Sequence, residues 1–390
     1  MASFKKLLLD DDMYQTGDNI YLDVVVRNLD STTWKIPAVF NQRRNEAFLD
    51  NPYDYYLSVV RWSLPAFSFP IALMYIQPNQ PDPNLSVYSV TLSFDGDTQK
   101  QNIIFESRTN LPTPVDAIPV QRKSEYYFIY QYQHMVDMVN TALATAFSNL
   151  ATKPAGSEAP YFIYNPVTKL FSLIAQAAHY DAKMVGSIQV YLNSNLFELF
   201  NGLVNIAEFL SNGRDFKILI SNYRNNYYND PAKISTIPPE YYETVEQFVS
   251  IPAWNAVKKI TFETSLIPIQ NEYTPASGNS FKKIMTDFEP LNSSSEDVRT
   301  SLQYFPQGQY RLIDLTGTTP LYNIDLKVTW LDVFGRGYTV QINHFQELSV
   351  KLLFTRKTVY KNYTDKILHL QKKITEKFKK NKRKDHLKYQ

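Results

Sequence analysis

Hydrophobic and polar residues alternate with a period of two near both ends of the chain, which predicts β-strands there. In the first such segment the hydrophobic residues occupy every second position: Ile20, Leu22, Val24 and Val26. The same period recurs in three later segments: 259–264, 324–330 and 348–354. Residues 55–62 have hydrophobic side chains at both odd and even positions, which favours a central strand buried on both faces. A hairpin is predicted over 88–105, because Asp95-Gly96 separates two strand-like runs.

The middle of the chain follows a different period. Over 132–150 the hydrophobic residues recur every three or four positions, which predicts an amphipathic helix of about five turns. A hairpin is predicted over 161–174, with Asn-Pro at its turn, followed by a strand at 187–192 and a short helix at 196–203. This part of the chain therefore has mixed α+β character.

Strands at both ends and a mixed middle favour one antiparallel sandwich that carries an insertion over two tandem domains. The predicted boundaries are an N-terminal arm (1–12), a β-sandwich (13–119 and 246–360), an inserted α+β subdomain (120–245) and a basic amphipathic tail (361–390). The predicted fold class is mainly β: an antiparallel β-sandwich with an inserted α+β subdomain and a basic C-terminal helix.

Positive charge is concentrated at the C-terminus. Residues 366–390 hold ten Lys and Arg against Glu376 and Asp385, a net charge of +8, whereas the whole chain carries +2. The rest of the chain is therefore acidic, near −6. Such a tail predicts contact with a polyanion through charge neutralisation, without reading of bases. The side chains predicted to make this contact are Lys372, Lys373, Lys377, Lys379, Lys380, Lys382, Arg383 and Lys384.

Three other interpretations of the tail stay open. Residues 379–384 match a nuclear-import patch. A narrow apolar stripe at helical spacing would suit a membrane interface, although it contains no Trp: Ile367, Leu370, Ile374 and Phe378. The plainest interpretation is a solvated tail that keeps the protein soluble. Stable membrane insertion is not expected, because no apolar run is long enough to span a bilayer.

The sequence offers no catalytic signature, and we expect no enzyme activity, cofactor or metal. The five histidines are isolated from one another, which is typical of packing or surface residues. The one G-x-G, Gly335-Arg-Gly337, lies between two predicted strands, where a turn is expected rather than a phosphate loop. Carboxylate pairs such as Asp287 and Glu289 are interpreted as loop residues.

Cysteine is absent, which excludes disulfides and thiolate metal sites and fits a reducing compartment. The first twelve residues contain only three consecutive leucines before three aspartates, too short an apolar run for a signal peptide. Secretion through a signal peptide is therefore not expected.

Aromatic residues are abundant, with 28 Tyr and 24 Phe against only 11 Gly. Adjacent tyrosines at 126–127, 227–228 and 241–242 would suit a glycan-binding or partner surface. In a β-rich chain such residues more often form the core and cross-strand pairs. Both interpretations stay open.

Two stretches of sequence resemble a known family. One is 40–65 (FNQRRNEAFLDNPYDYYLSVVRWSLP); the other runs through 305–315 (FPQGQYRLIDL), 324–335 (IDLKVTWLDVFG) and 350–354 (VKLLF). Together they resemble the minor capsid, or penton, proteins of virophages and polinton-like eukaryotic DNA viruses. The resemblance lies in the local sequence of these segments and in their order, and it covers about a fifth of the chain. The basic tail is a departure from it.

The resemblance implies a single jelly roll in a virus particle, forming homo-oligomers, with a pentamer at the vertex, beside a larger major capsid protein. The expected function is that of a minor capsid subunit located in the virion and assembled in the host nucleus or cytoplasm, whose tail binds packaged nucleic acid or directs nuclear import. Two alternatives remain: a glycan- or receptor-binding β-sandwich module, and a nuclear nucleic-acid-binding protein.

Overall fold

The computed structural model describes residues 19–30, 32–66, 69–114, 124–210, 213–220, 241–274, 280–290, 301–304, 311–359 and 371–372. The chain divides into two compact units. Unit 1 comprises residues 1–68, 259–289 and 298–390, and unit 2 comprises residues 69–258 and 290–297. Each is described by itself.

Unit 1 contains two large antiparallel sheets. The first has the order β1 (Asn19–Arg27), β23 (Glu347–Arg356), β4 (Tyr55–Pro65) and β18 (Ser301–Tyr304), with β19 (Ile313–Asp314) also paired to β4. The strand predicted to be central, β4, indeed lies between two neighbours and is mostly buried. A short 3₁₀ helix, Pro52–Asp54, precedes β4.

The second sheet of unit 1 has the order β16 (Glu272–Thr274), β17 (Ser280–Phe288), β15 (Lys259–Thr264), β20 (Asn323–Leu331) and β21 (Gly337–Thr339), with β3 (Val39–Arg43) also paired to β20. A separate two-stranded ribbon joins β2 (Lys35–Pro37) to β22 (Gln341–Asn343). The ribbon continues from the β3 and β21 side of the sheet, because β2 precedes β3 and β22 follows β21 along the chain.

The two sheets pack face to face through aromatic side chains. Trp62 of β4 is buried, and its ring centroid lies 5.1 Å from those of both Phe262 on β15 and Phe288 on β17. Aromatic pairs at this separation add to the energy of simple burial. Unit 1 is therefore an antiparallel β-sandwich, as the period-two pattern predicts.

Unit 2 combines strands and helices. Its five-stranded sheet has the order β12 (Asn205–Leu210), β13 (Gly213–Ile218), β11 (Gln189–Asn193), β6 (Leu85–Phe94) and β7 (Asp97–Ile104). A three-stranded sheet joins β14 (Tyr241–Val245), β10 (Leu170–Gln176) and β9 (Tyr161–Asn165), and a small pair joins β5 (Ala72–Leu73) to β8 (Phe128–Ile129). The helices are α1 (Tyr132–Asn149), α2 (Ala177–Tyr180) and α3 (Ser194–Leu199), with 3₁₀ turns at Glu125–Tyr127 and Ile251–Trp254.

One face of α1 forms the centre of the core of unit 2. Met135, Val136, Val139 and Leu143 recur at three- and four-residue spacing and are fully buried. This stripe packs with hydrophobic residues of β6, β7, β9 and β10. The helix spans 18 residues, which confirms the prediction from its periodicity.

The hairpin of β6 and β7 forms as expected, but it belongs to a different sheet from the one expected. It turns at Asp95 and Gly96, which both have positive φ, as the dipeptide predicts. Its partner, however, is β11 of unit 2, with Val90 opposite Leu192. Unit 2 thus begins at residue 69, whereas the predicted inserted subdomain spans 120–245. The alternation of hydrophobic and polar residues predicts that a segment is a strand. The sheet that the strand joins is decided by the distant strand with which it pairs.

Candidate functional site

Catalytic or metal chemistry finds no support in the part of the chain that the structure describes. No three His, Asp or Glu side chains there converge where a metal ion would bind. Among the same residues, no helix has the length and apolar character needed to cross a membrane. The candidate functional features are therefore surfaces.

The basic tail lies almost entirely outside the described residues. Of the predicted polyanion-contacting side chains, only Lys372 is described, as an exposed helical residue. The other seven lie outside the described residues: Lys373, Lys377, Lys379, Lys380, Lys382, Arg383 and Lys384. Their contact with a polyanion stays a prediction.

Two carboxylates of unit 1 anchor turns. Asp332 is buried; its Oδ1 accepts the N–H groups of Phe334 and Arg336 at 2.9 Å, and its Oδ2 accepts the Arg336 Nε–H at 2.7 Å. Asp325 accepts hydrogen bonds from Thr264, Ser265 and Leu266. Burial raises the pKa of Asp325, but these hydrogen bonds outweigh it and leave the pKa below its usual value. The G-x-G belongs to the Asp332 turn between β20 and β21, as predicted.

In unit 2, Glu246 is a buried carboxyl that the sequence analysis missed. Its Oε2 accepts the Phe171 N–H at 3.0 Å. Burial raises its pKa from 4.5 to about 7, although the hydrogen bond from Phe171 and the neighbouring Ser250 oppose the change. Its surroundings are the aromatic core, which contains Phe171, Phe200 and Trp254. Glu246 is therefore a structural group that carries a pH dependence.

His134 also belongs to the core. It is buried on α1, and its Nε2 lies 2.6 Å from the carbonyl oxygen of Glu106. Burial lowers its pKa, which favours the neutral ring that donates to this carbonyl. His134 is a packing residue, as the isolation of the histidines predicts.

The tyrosine pairs serve the interior more than the surface. Tyr126 and Tyr127 are both buried, with ring centroids 4.9 Å apart in an edge-to-face arrangement. Tyr241 and Tyr242 are partly buried, and their hydroxyl groups donate to Glu158 and Asp181. The pair at 227–228 lies outside the described residues. The described pairs therefore follow the core interpretation.

The most prominent exposed apolar feature of unit 1 is a group of three side chains, here named the loop cluster: Leu29, Trp34 and Phe345. They are 70%, 72% and 78% exposed. Leu29 and Trp34 lie between β1 and β2, and Phe345 lies between β22 and β23. A soluble surface rarely presents adjacent large apolar side chains without a partner.

Backbone hydrogen bonds hold the loop cluster together. The Phe345 N–H donates to the Asn28 carbonyl at 2.9 Å, and the His344 N–H donates to the Trp34 carbonyl at 2.9 Å. The buried Asn28 amide donates to the carbonyls of Thr33 and Ile342 at 3.0 and 3.2 Å. The two loops are therefore one fixed surface.

A second apolar feature of unit 1, the hairpin pair, lies on β16 and β17. Tyr273 and Phe281 are register partners, with ring centroids 5.4 Å apart. They are 53% and 68% exposed. The aromatic pair stabilises its hairpin and still presents much of both rings to solvent.

Comparison with known proteins shows the family of this chain. A family model described as Sputnik minor capsid protein V18/19 matches residues 20–356. The chain belongs to this family of minor capsid proteins. It is 35% identical to structural protein V19 of the Sputnik virophage over 208 residues, covering 51% of this chain and 95% of the relative. It is also 32% identical to the uncharacterized protein V18 of that virophage over 157 residues, covering 38% of this chain and 93% of the relative.

Solved structures agree with this assignment. A chain in the 3.5 Å cryo-EM structure of the Sputnik virophage superposes with a TM-score of 0.77 at 32% identity, covering 88% of this chain and 99% of that chain. The crystal structure of the mavirus penton protein superposes with a TM-score of 0.61 at 14% identity, covering 86% of this chain and 99% of that chain. The second likeness concerns the fold, which is consistent with a jelly roll.

Membership of this family confirms several expectations. The protein is a structural capsid protein, and it is not an enzyme, because its relatives are capsid components. It is a component of the virion, where it contacts other capsid subunits. The resemblance of 40–65 and 305–354 to such proteins is thereby confirmed.

The loop cluster and the hairpin pair were missed from the sequence. A usable signal exists in hindsight: Trp34 follows Asp-Ser-Thr-Thr, and Phe345 lies between His344 and Gln346. A large aromatic residue in a polar turn is a candidate for an interface, since the turn cannot bury it.

Proposed function

We propose that this minor capsid protein is the penton subunit, which occupies the vertices of the particle. The observation that carries the proposal is the likeness of nearly the whole fold to the mavirus penton protein, at 86% of this chain and 99% of that chain. A vertex of an icosahedral shell has five-fold symmetry, so its occupant forms a closed cyclic pentamer. The sandwich of unit 1 would supply the contacts between copies and with the major capsid protein.

The proposal is tested by the mass of the purified full-length protein, measured by native mass spectrometry and light scattering at micromolar concentration. We expect a discrete pentamer in the absence of nucleic acid. A second run in high salt serves as the control, because contacts made by buried apolar surface persist when exposed charges are screened. A protein that stays monomeric, alone and when mixed with major capsid protein, would contradict the penton assignment.

We further propose that the basic tail neutralises packaged nucleic acid inside the particle. The support is its charge of +8 over 25 residues in a chain that carries +2 overall. The contact residues are those predicted from the sequence, and no base-specific recognition is involved. Phosphate neutralisation makes affinity fall with salt, with a slope of about −0.9 per phosphate on a double-logarithmic plot.

Binding of full-length protein to duplex DNA is compared with that of a form ended after Asp365. A matched control keeps the tail but replaces Lys379, Lys380, Lys382, Arg383 and Lys384 by Gln. We expect steep salt dependence only for the full-length protein, with a shallower slope for the control. Equal binding by the truncated form would exclude the tail as the contact. If a reporter fused to the tail enters nuclei while DNA binding is unchanged by truncation, the import role replaces the proposed one.

A further inference from the structure

The loop cluster and the hairpin pair lie at opposite edges of the second sheet of unit 1. The sheet begins at β16 and ends at β21 and β3, and the ribbon of β2 and β22 extends that far edge to the loop cluster. Between the two edges lie β17, β15 and β20, a width of roughly 15–20 Å at about 4.8 Å per strand. The sheet thus carries two different apolar surfaces, one near each of its edges.

We propose that the loop cluster of one subunit packs against the hairpin pair of the next copy, so that subunits join head to tail into a ring. This inference rests on the proposed penton function and names the surfaces that carry it. A contact that joins two unlike surfaces on opposite edges uses a different surface on each subunit, whereas self-pairing of either surface would give an isologous dimer. The proposed contact is therefore heterologous, and it repeats from copy to copy until the ring closes.

The loop cluster has the properties of a preformed binding site. Phe345 adopts a φ of 60°, a left-handed conformation that is uncommon for an aromatic residue. Its backbone is held there by the hydrogen bond from its N–H to the Asn28 carbonyl, and its ring stacks on the ring of His344 with centroids 3.7 Å apart. Strain of this kind is concentrated at functional positions, and a fixed side chain loses little entropy on binding. Trp is moreover among the residues most enriched at the few interface positions that contribute most of the binding energy.

Charge supports the same pairing. Asp30 is next to Leu29, and hydrogen bonds from the side chains of Thr33 and Thr32 lower its pKa to about 2, so that its carboxylate is charged. On β17, Lys283 lies two residues from Phe281 and donates to the carbonyl oxygens of Ser265 and Ile267. Among the described residues, neither Asp30 nor Lys283 has an ion-pair partner. The carboxylate beside the loop cluster and the ammonium group beside the hairpin pair are thus opposite in charge, which favours contact between these two surfaces.

A mixing experiment tests the proposal. The loop variant carries Trp34→Gln and Phe345→Asn, since Asn tolerates the left-handed conformation. The hairpin variant carries Tyr273→Thr and Phe281→Thr, which keeps β propensity. Each variant alone is expected to associate at least roughly 30-fold more weakly than the parent, as for loss of an interface anchor. Mixed together, the two variants are expected to form a one-to-one dimer and no ring, because only one intact contact remains between them.

The outcomes separate this inference from the function on which it rests. Circular dichroism first establishes that both variants are folded, and Val185→Asn, at an exposed site in unit 2, serves as the control that keeps the ring. If the parent protein forms no ring, the penton proposal fails. If the parent forms a ring and either variant forms it equally well, the head-to-tail contact is wrong while the penton role stands. Failure of the mixture to form a dimer, when each variant alone is monomeric, also overturns the pairing.

Discussion

The indole ring of Trp254 lies parallel to the ring of Phe171, with centroids 5.1 Å apart and 7° between the planes. Its Nε1–H donates to the carbonyl oxygen of Leu199 at 2.5 Å. One side chain thus joins the 3₁₀ turn at Ile251–Trp254 to strand β10 and to the end of helix α3. Unit 2 depends on this contact, because its three- and five-stranded sheets share one core.

Replacement of Trp254 by Ala is expected to lower the free energy of unfolding of unit 2 by about 3–5 kcal/mol, as large aromatic truncations in a core do. Urea unfolding, monitored through the hydrogen exchange of β10 amides, measures the loss of stability. Phe248→Ala, at an exposed aromatic residue nearby in sequence, should cost less than about 1 kcal/mol. A Trp254 variant as stable as this control would show that the stack is dispensable.

The raised pKa of Glu246 predicts that unit 2 becomes more stable as the pH falls. Its pKa is about 7 in the folded protein against 4.5 as its ordinary value, so the folded state binds more protons between these values. Stability is greatest below about pH 4.5 and falls as the pH rises to about 7, by roughly 3 kcal/mol at about 1.4 kcal/mol per pH unit. Exchange of the Phe171 amide, which donates to Glu246, follows the change.

Glu246→Gln should flatten this pH profile and raise stability above pH 7, because the neutral amide keeps an acceptor for Phe171 without a buried charge. Glu198→Gln, at an exposed carboxyl of α3, is the matched control and should leave the profile unchanged. An unaltered profile in the Glu246 variant would assign the pH dependence to other groups.

Asp332 is expected to be one of the most sensitive positions of unit 1. Asp332→Ala leaves the Arg336 guanidinium and two backbone N–H groups without their acceptor, at a cost of about 3 kcal/mol or more. The exposed Arg27–Glu347 pair provides the comparison, since Glu347→Ala should cost less than about 1 kcal/mol. Thermal unfolding compares the two variants, and equal losses would refute the anchoring role of Asp332.

Gly202 is expected to tolerate no side chain. A Cβ at this position would clash with the Phe248 carbonyl oxygen and lie 2.9 Å from Cβ of Glu246. Since the obstacle is backbone, Gly202→Ala must displace the chain that hydrogen-bonds Gln247 to Gly202. Gly156→Ala, with a positive φ but open space around it, should cost only about 1–2 kcal/mol. A Gly202 variant less destabilised than this one would contradict the close approach.

Local elements could be predicted from the sequence because each depends on its own periodicity. The helix predicted over 132–150 is observed at Tyr132–Asn149, and the strand pattern beginning at Ile20 is observed as β1. The turn at Asp95-Gly96 followed from the tolerance of both residues for positive φ. In these cases the side-chain spacing alone contains the required information.

The extent of unit 2 could not be predicted in this way. The strands β6 and β11 are separated by about a hundred residues, and their pairing is decided by the shared core around Val90 and Leu192. The burial of Glu246 could not be predicted either, because it follows from distant aromatic residues rather than from its neighbours in sequence. The loop cluster likewise depends on contact between loops at opposite ends of the chain.

The discontinuity of unit 1 has a consequence for synthesis. Strand β1 pairs with β23, so that Asn19 lies opposite Thr355, and Asn28 binds the Phe345 backbone. The residues 69–258 of unit 2 leave the ribosome long before β23 is translated, and domains fold as they emerge. The loop cluster cannot exist on a nascent chain that has not reached residue 345. The proposed head-to-tail contact is therefore closed to subunits that are still attached to neighbouring ribosomes on one messenger.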